Sequence, residues 1–214
     1  MIEDLILVGG GGHCRSVIDV IEADGRFRIA GIVDAPEMVG ITVLGYPVIA
    51  TDDDLPTLAQ TYQYFLVTVG QVKSGAIRTR LFHQIKSLGG ILPTLIAPTA
   101  YVSRHATIGE GTVIMHRAFV NAGARVGANG IINTAALIEH DTEIGDFCHI
   151  STGAIVNGTC VVGNGCFVGS NAVVAHGVTV LPGGIIGAGA VLPANTRSNA
   201  LYAGNPAILK KDYE

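Results

Sequence analysis

Hydrophobic positions recur at every sixth residue over the second half of the chain. The row runs Ile96, Val102, Ile108, Ile114, Val120, Val126, Ile132, Ile138, Ile144, Ile150, Val156, Val162, Val168, Val174, Val180, Ile186, Leu192, and every member is aliphatic. Four residues after each comes a second row, Ala100 to Thr196, made of Ala, Gly, Thr and Cys with one larger member, Val178. The residue directly after the aliphatic one is often Gly or Asn, as at Gly109, Asn121, Gly127, Asn133, Gly145, Asn157, Gly163, Gly169 and Gly187. Both types tolerate left-handed backbone, so the turns are expected to place it there. A helix does not generate period six, and a plain strand gives period two. A large and a small inward residue at fixed offset describe a short strand that turns a corner every six residues.

That pattern matches the hexapeptide repeat of a left-handed parallel β-helix, in which three hexads close one triangular coil. The seventeen hexads give between five and six coils, stacked at roughly 4.8 Å each. The β-helix domain is expected over residues 96–197, followed by a tail at 198–214.

Residues 1–95 carry a different pattern. Leu5-Ile6-Leu7-Val8 is an apolar run closed by Gly9-Gly10-Gly11-Gly12. A helix with Val17, Ile18 and Ile21 inward follows, ending at Gly25. Ile29–Val33 reads as a second strand stopping at Asp34, and residues 35–50 as a loop. Asp52-Asp53-Asp54-Leu55-Pro56 starts a short helix. Tyr64–Val69 is a third strand closing on Gly70. A longer helix starts at Ser74 with Ile77, Leu81, Ile85 and Leu88 on one face, and Ile91–Leu95 is a last strand. Alternating strand and helix predict a small α/β domain of Rossmann-like type with a parallel sheet.

Composition narrows the functional classes. The chain has 214 residues and a formal net charge of -4, with no basic run, so nucleic acid is not an expected partner. Mean hydropathy is high at +0.47, yet no apolar run approaches the ~18 residues of a membrane span. The start, Met1-Ile2-Glu3-Asp4, lacks a basic region and does not read as a signal peptide. Cys148, Cys160 and Cys166 all fall in the small inward row, so they read as core residues rather than zinc ligands or disulfide partners. A cytoplasmic protein is expected.

Two stretches carry candidate chemistry. The glycine turn Gly9 to Cys14 lies between a strand and a helix, where backbone N–H groups and the helix dipole favour phosphate. Gly9 and Gly11 fit the dinucleotide fingerprint, but Cys14 replaces its third glycine. Asp34 ends the next strand, where an acid bonds a ribose hydroxyl. Nucleotide or nucleotide-sugar binding, NAD-type binding and a purely structural turn all remain open from these residues. In the repeat, five histidines (His105, His116, His140, His149, His176) avoid both inward rows and are expected to face outward or sit at corners. His140 alone has an acid on either side, Glu139 and Asp141, and a carboxylate on one ring nitrogen makes the other more basic.

The segment Ile138-Glu139-His140-Asp141-Thr142-Glu143-Ile144-Gly145-Asp146-Phe147-Cys148-His149-Ile150-Ser151 resembles a motif of the sugar N-acetyltransferases of bacillosamine biosynthesis and the sialic acid O-acetyltransferases. The resemblance extends to the GxGGH opening, the α/β domain, the repeat, and the tail segment Gly204-Asn205-Pro206-Ala207. It implies acetyl-CoA as co-substrate, His140 as general base and Asp141 as the acid that orients it. It places His149 at the thioester, and Gly158, Ser170 and Ala188 along the pantetheine arm and adenosine. Gly11, Gly12, His13, Asp34 and Gly70 would bind a UDP-linked amino sugar. Ala35 stands where the bacillosamine enzymes carry a second acid. The family's assembly implies a homotrimer with active sites between subunits.

The reaction this implies is direct transfer of acetyl to a C4 amine, with the rate rising with pH as amine and base lose protons. O-acetylation of sialic acid or a related sugar is the enzymatic alternative, and a nucleotide-sugar-binding trimeric scaffold the non-enzymatic one. No metal is expected. His140 and His176 have the 36-residue spacing of the β-helix carbonic anhydrases, but the third ligand position is Leu181.

Overall fold

Every sixth residue from Gly111 to Gly189 takes a left-handed backbone conformation in the computed structural model, which describes residues 2–71 and 74–213. Each of these residues closes one corner of a three-sided coil. The left-handed residue lies three positions after the aliphatic one, and includes Arg117, Asn129, Ala135, Asp141, Phe147, Thr159 and Asn171 beside glycines. The expectation that it directly follows the aliphatic residue is therefore corrected. The glycines at that earlier position serve close approach. A Cβ on Gly109 would come within 2.5 Å of the Gly127 carbonyl carbon, one coil on.

Two-residue rungs stack in parallel, each paired with the rung eighteen residues away, as Leu137–Ile138 pairs with Ile155–Val156. The first face carries Tyr101–Val102, Phe119–Val120, Leu137–Ile138, Ile155–Val156, Val173–Val174 and Val191–Leu192. A second face runs from Thr107–Ile108 to Thr179–Val180. Val113–Ile114, Ile131–Ile132, His149–Ile150, Phe167–Val168 and Ile185–Ile186 belong to the third. The second residue of every rung points inward, and from Ile114 to Leu192 the whole aliphatic row is buried. The small row is buried from Thr112 onward, including the three cysteines and Val178. Each buried aliphatic side chain contributes roughly 1.5–3 kcal/mol, so the column is held by its inward rows. All four thiols are free and buried.

The end of the column is closed by the chain itself. Ala200–Ala203 pairs with Ile185–Ile186, then turns back as the antiparallel strand Ile208–Asp212. Between them Val191 N–H donates to the Gly204 carbonyl and Ala207 N–H to the Val191 carbonyl. The Gly204–Ala207 segment thus satisfies both backbone groups of a last-coil residue.

The chain divides into two compact units, residues 1–70 with 76–98, and residues 71–75 with 99–214. The first is the α/β unit. Its sheet holds β1 (Glu3–Val8), β2 (Phe27–Val33), β3 (Thr42–Val43), β4 (Tyr46–Ala50) and β5 (Tyr64–Val67), in the order β3-β4-β2-β1-β5. Helix α1 (Gly12–Asp24) stops at Gly25, which takes φ 69°. The expected 35–50 loop contains the hairpin β3–β4, and β4 extends the parallel sheet beside β2. Its turn is Leu44-Gly45, both at positive φ. Leucine is a poor sequence signal for that conformation, and Pro47 hides the strand.

Helix α2 (Leu55–Leu58) follows a capping box formed by Thr51 and Asp54. Helix α3 (Ala76–Ser87) buries Arg78, Leu81, Phe82 and Ile85 and exposes Ile77, a face rotated by one residue from the expected one. Arg78 is tolerated there because its Nη1 donates to the carbonyls of Val67 and Val69, at 3.0 and 2.5 Å. Burial pushes its guanidinium down to about 10. The expected strand at 91–95 reduces to one bridge between Ile91 and Tyr64 and a short strand at Leu95–Ile96. No helix among the described residues is long and apolar enough to cross a membrane.

Candidate active site

His140 and Asp141 form the corner between the first and second faces, directly after the rung Leu137–Ile138. Asp141 takes φ 56°, which an aspartate accepts more readily than most side chains. That turn aims its carboxylate back at the preceding ring, and His140 Nδ1 lies 3.0 Å from Asp141 Oδ2. The reach of the shorter acid, which the sequence leaves open, is thus met. Both side chains are more than half exposed, at 51% and 66%. With Nδ1–H donated to the carboxylate, Nε2 keeps its lone pair.

Three neighbours shape this corner. Gly158 occupies the same slot one coil on, and a Cβ there would meet His140 Nε2 at 2.6 Å. Gly123, one coil before, leaves the space that Asp141 Oδ1 uses. Glu139 is bonded elsewhere: its Oε2 accepts Asn121 Nδ2–H at 2.7 Å and the His140 backbone N–H at 3.2 Å. The second acid flanking His140 is therefore spent on backbone and neighbour. His176 holds the same slot two coils from His140, with ring centroids 6.3 Å apart.

His149 departs from the expectation that every repeat histidine is outward and solvated. It lies on the third face but is only 7% exposed. Its Nδ1 donates to the Gln71 carbonyl at 2.6 Å, and Asn133 Nδ2 donates to its Nε2 at 3.1 Å. Phe167, one coil on, meets the ring edge to face at 5.2 Å. Nothing in the sequence around Gln71 announces this contact, because a main-chain carbonyl makes it. Ser170 and Ala188 lie at the corner between the third and first faces, one coil apart. Ser170 Oγ is 3.0 Å from Ser151 Oγ. Within one chain the expected cofactor residues are thus divided: Gly158 lies beside His140, and His149, Ser170 and Ala188 lie across the first face.

In the α/β unit, a cavity of about 440 Å³ opens at the carboxyl ends of the parallel strands, the usual ligand position in such sheets. Asp34 lines it together with Gly9, Ala35, Pro36, Asp52, Asp53 and Arg80. Asp34 also shapes the glycine turn, accepting the Gly10 N–H at 2.7 Å and the Ala35 N–H at 2.8 Å. Asp52 and Arg80 pair at 2.7 Å; sequence reasoning uses Asp52 only as a helix start and overlooks Arg80. Gly11 caps α1 and Gly12 opens it, both exposed, with open space where side chains would be. His13 is half-buried in the first turn, and Gly70 lies against its Cβ. Cys14 is buried, and burial pushes its thiol up to about 11, so it is no nucleophile.

Residues 4–85 match the family model of the PglD N-terminal domain, and residues 92–205 that of the GMPPB C-terminal domain. The chain is 34% identical over 118 residues to UDP-N-acetylbacillosamine N-acetyltransferase of Bacillus subtilis (strain 168), covering 53% of this chain and 52% of that one. The match thus spans about half the length of this curated relative. A variant of perosamine N-acetyltransferase from Caulobacter crescentus, in complex with CoA and GDP-perosamine, superposes with a TM-score of 0.92 and 34% identity over 99% of each chain. The acetyltransferase domain of PglB from Neisseria gonorrhoeae FA1090, in complex with acetyl coenzyme A, gives 0.89 and 34% over 98% of this chain and 100% of that one.

A left-handed β-helix of hexads that follows an α/β domain in the sequence, with a histidine–aspartate pair on one corner, defines a hexapeptide-repeat acyltransferase. Relatives of this layout carry acetyl-CoA or CoA. The chain belongs to the PglD-like family of sugar acetyltransferases.

Proposed function

We propose that this protein is an acetyl-CoA-dependent N-acetyltransferase acting on the C4 amine of a UDP-linked amino-deoxy sugar, by direct transfer with His140 as general base. The observation that carries this reading is the 3.0 Å contact between His140 Nδ1 and Asp141 Oδ2, which leaves Nε2 as an acceptor on an open corner. The amine nitrogen attacks the thioester carbonyl carbon, and Nε2 takes one of its protons as the C–N bond forms. A backbone N–H stabilises the oxyanion. The C–S bond then breaks, and the thiolate is released as the thiol with the proton His140 held. Asp141 keeps the ring oriented and stabilises its charged form.

The cavity at Asp34, with the open N-terminus of α1 at Gly11, Gly12 and His13 and the strand end at Gly70, supports nucleotide-sugar binding in the α/β unit. UDP is the nucleotide of the curated relative, and GDP that of the perosamine enzyme. CoA would run past Gly158, Ser170 and Ala188. For His149 to reach the thioester, a bond its ring now makes, to the Gln71 carbonyl or to Asn133, must be exchanged for the ligand.

The working form is a homotrimer in this reading. The outward residues of the first face, Tyr101, Phe119, Leu137, Ile155, Val173 and Val191, form an apolar row, with Tyr101 and Phe119 stacked at 4.7 Å. His140 lies at one edge of this face and Ser170 and Ala188 at the other, so a neighbour's edge can complete each site. Free buried thiols and two cytosolic metabolites as substrates support a cytoplasmic location.

Thiol release from acetyl-CoA tests the reading, measured against UDP- and GDP-linked 4-amino sugars and free sialic acid. We expect turnover with a nucleotide-linked amine, and its loss in His140→Ala. Near wild-type acetylation by His140→Ala would falsify the mechanism; turnover of sialic acid alone would establish the O-acetyltransferase reading instead.

A further inference from the structure

We infer that Lys211, with Lys210 beside it, binds the phosphates of coenzyme A and sets the preference for acetyl-CoA over thioesters that lack them. The inference rests on the reading above, with the thioester at His149 and the arm of CoA passing Ser170 and Ala188. Strand register carries it. On the third face His149 is paired with Phe167, Phe167 with Ile185, Ile185 with Leu201, and Leu201 with Lys211. Residues from distant parts of the chain therefore form one row along the column. Register partners in adjacent strands point to the same side of a sheet. The residues that follow them in the rungs, Ile150, Val168 and Ile186, are buried in the core, so the row lies on the outer side of the face.

The chemistry of the row changes along its length. It begins at a histidine, continues through the half-buried Phe167, Ile185 and Leu201, and ends at an exposed lysine. An acyl pantetheine carries its groups in the same order: a thioester carbonyl, an arm with a dimethyl-bearing carbon, then phosphate. The lengths agree as well. Successive rungs are about 4.8 Å apart, which puts Lys211 roughly 19 Å from His149 along the column. The arm from sulfur to the first phosphorus has about thirteen bonds and spans roughly 16 Å when extended. A lysine stem covers the remainder.

The charge at that end is free to meet a phosphate. Among the described residues neither Lys210 nor Lys211 has a carboxylate partner, and the adjacent Asp212 pairs with Arg197 at 3.5 Å. Lys211 Nζ lies 5.0 Å from the centroid of the Tyr213 ring, a contact that leaves its N–H groups available. Lys210 is the extra residue of the bulge between the pairs Leu201–Lys211 and Tyr202–Leu209, and adds a second positive charge. Lysines on an edge strand also discourage pairing with another chain, but that role would leave KM for every thioester unchanged.

The experiment uses the purified full chain, a UDP-linked 4-amino sugar, and three donors: acetyl-CoA, its 3′-dephospho form and acetyl-pantetheine. With Lys210→Met and Lys211→Met combined, we expect KM for acetyl-CoA to rise about five- to tenfold with kcat unchanged, the sign of lost ground-state binding. KM for acetyl-pantetheine stays as it was, and the advantage of acetyl-CoA in the wild type shrinks with added salt. Lys211→Arg alone keeps the wild-type KM. A rise shared by the 3′-dephospho donor assigns the contact to the diphosphate, and a rise confined to acetyl-CoA assigns it to the 3′-phosphate; both support the inference. Unchanged KM for acetyl-CoA in the double variant at an unchanged melting temperature overturns it while the proposed function stands, as does an equal rise with acetyl-pantetheine. Calorimetric CoA binding that depends on the lysines, in a chain that acetylates no amine, overturns the proposed function and leaves the inference standing. A wild-type chain that does not bind CoA overturns both.

Discussion

Gly158 lies so close to His140 that a single methyl group on it would come 2.6 Å from Nε2. The position of the base is therefore set by a residue with no functional group, one coil away. Gly158→Ala should swing the imidazole off its present line. We expect kcat to fall roughly 100-fold, the scale of a 1 Å misplacement. The melting temperature should change far less, since the ring can move into solvent. Steady-state kinetics and calorimetry on the same sample check this.

Asp141 carries two requirements at once, a left-handed backbone and a carboxylate. Asn meets the first and not the second. Asp141→Asn should keep the fold, with Tm within ~2 °C of wild type, and lower kcat by about 10- to 100-fold through loss of the charge that stabilises the protonated ring. Replacement by Val, which resists left-handed backbone, should lower Tm as well. Equal kcat in Asp141→Asn would remove the carboxylate from the mechanism.

The glycines that follow the aliphatic row are tied to the spacing between coils. A Cβ on Gly127 would come within 2.7 Å of the Gly145 carbonyl carbon and the Asp146 nitrogen. Backbone cannot yield there as a side chain can. Gly127→Ala should cost about 2 kcal/mol or more, seen as a shift in the denaturant midpoint.

The opposite outcome is expected at Ala135, an exposed residue at φ 56°. Its Cβ crowds the following carbonyl in this conformation, a strain of about 1 kcal/mol. Glycine relieves it but gains freedom in the unfolded chain. Ala135→Gly should raise stability by roughly 0.5 kcal/mol, a Tm increase of ~1–2 °C.

Cys14 lies in the glycine-rich turn yet is wholly buried, with its thiol pushed up to about 11 by desolvation. The thiolate is the reactive form, and at pH 8 almost none is present. Cys14 should resist maleimide in the native protein and label only on unfolding. Rapid native labelling, read by mass spectrometry, would contradict its placement.

The architecture was legible in the sequence because inward positions admit only two kinds of side chain, and the repeat states both. The corners were not. Arg117, Ala135, Phe147 and Thr159 close them in left-handed conformation, and none of these residue types announces it. The glycines pointed to the wrong position because their reason is contact with a residue eighteen places on. His140 was legible from its flanking acids, but those acids have different tasks: Asp141 bonds the ring and Glu139 bonds Asn121. His176 reads as an isolated histidine until the coils are stacked. The Leu44-Gly45 hairpin stayed hidden because leucine and Pro47 both argue against it.

Pairing at an interval of eighteen residues imposes a grammar on changes in length. A duplication or loss of eighteen residues beyond the functional corner returns every later rung to its own face. A change of six preserves the hydrophobic pattern equally well, yet moves every later residue to the next side of the column. His140 and His176 would then look out in different directions. Lineages of this fold can vary the number of coils freely only in whole turns, and a single hexad gained between these two histidines would silence the corner without harming the core.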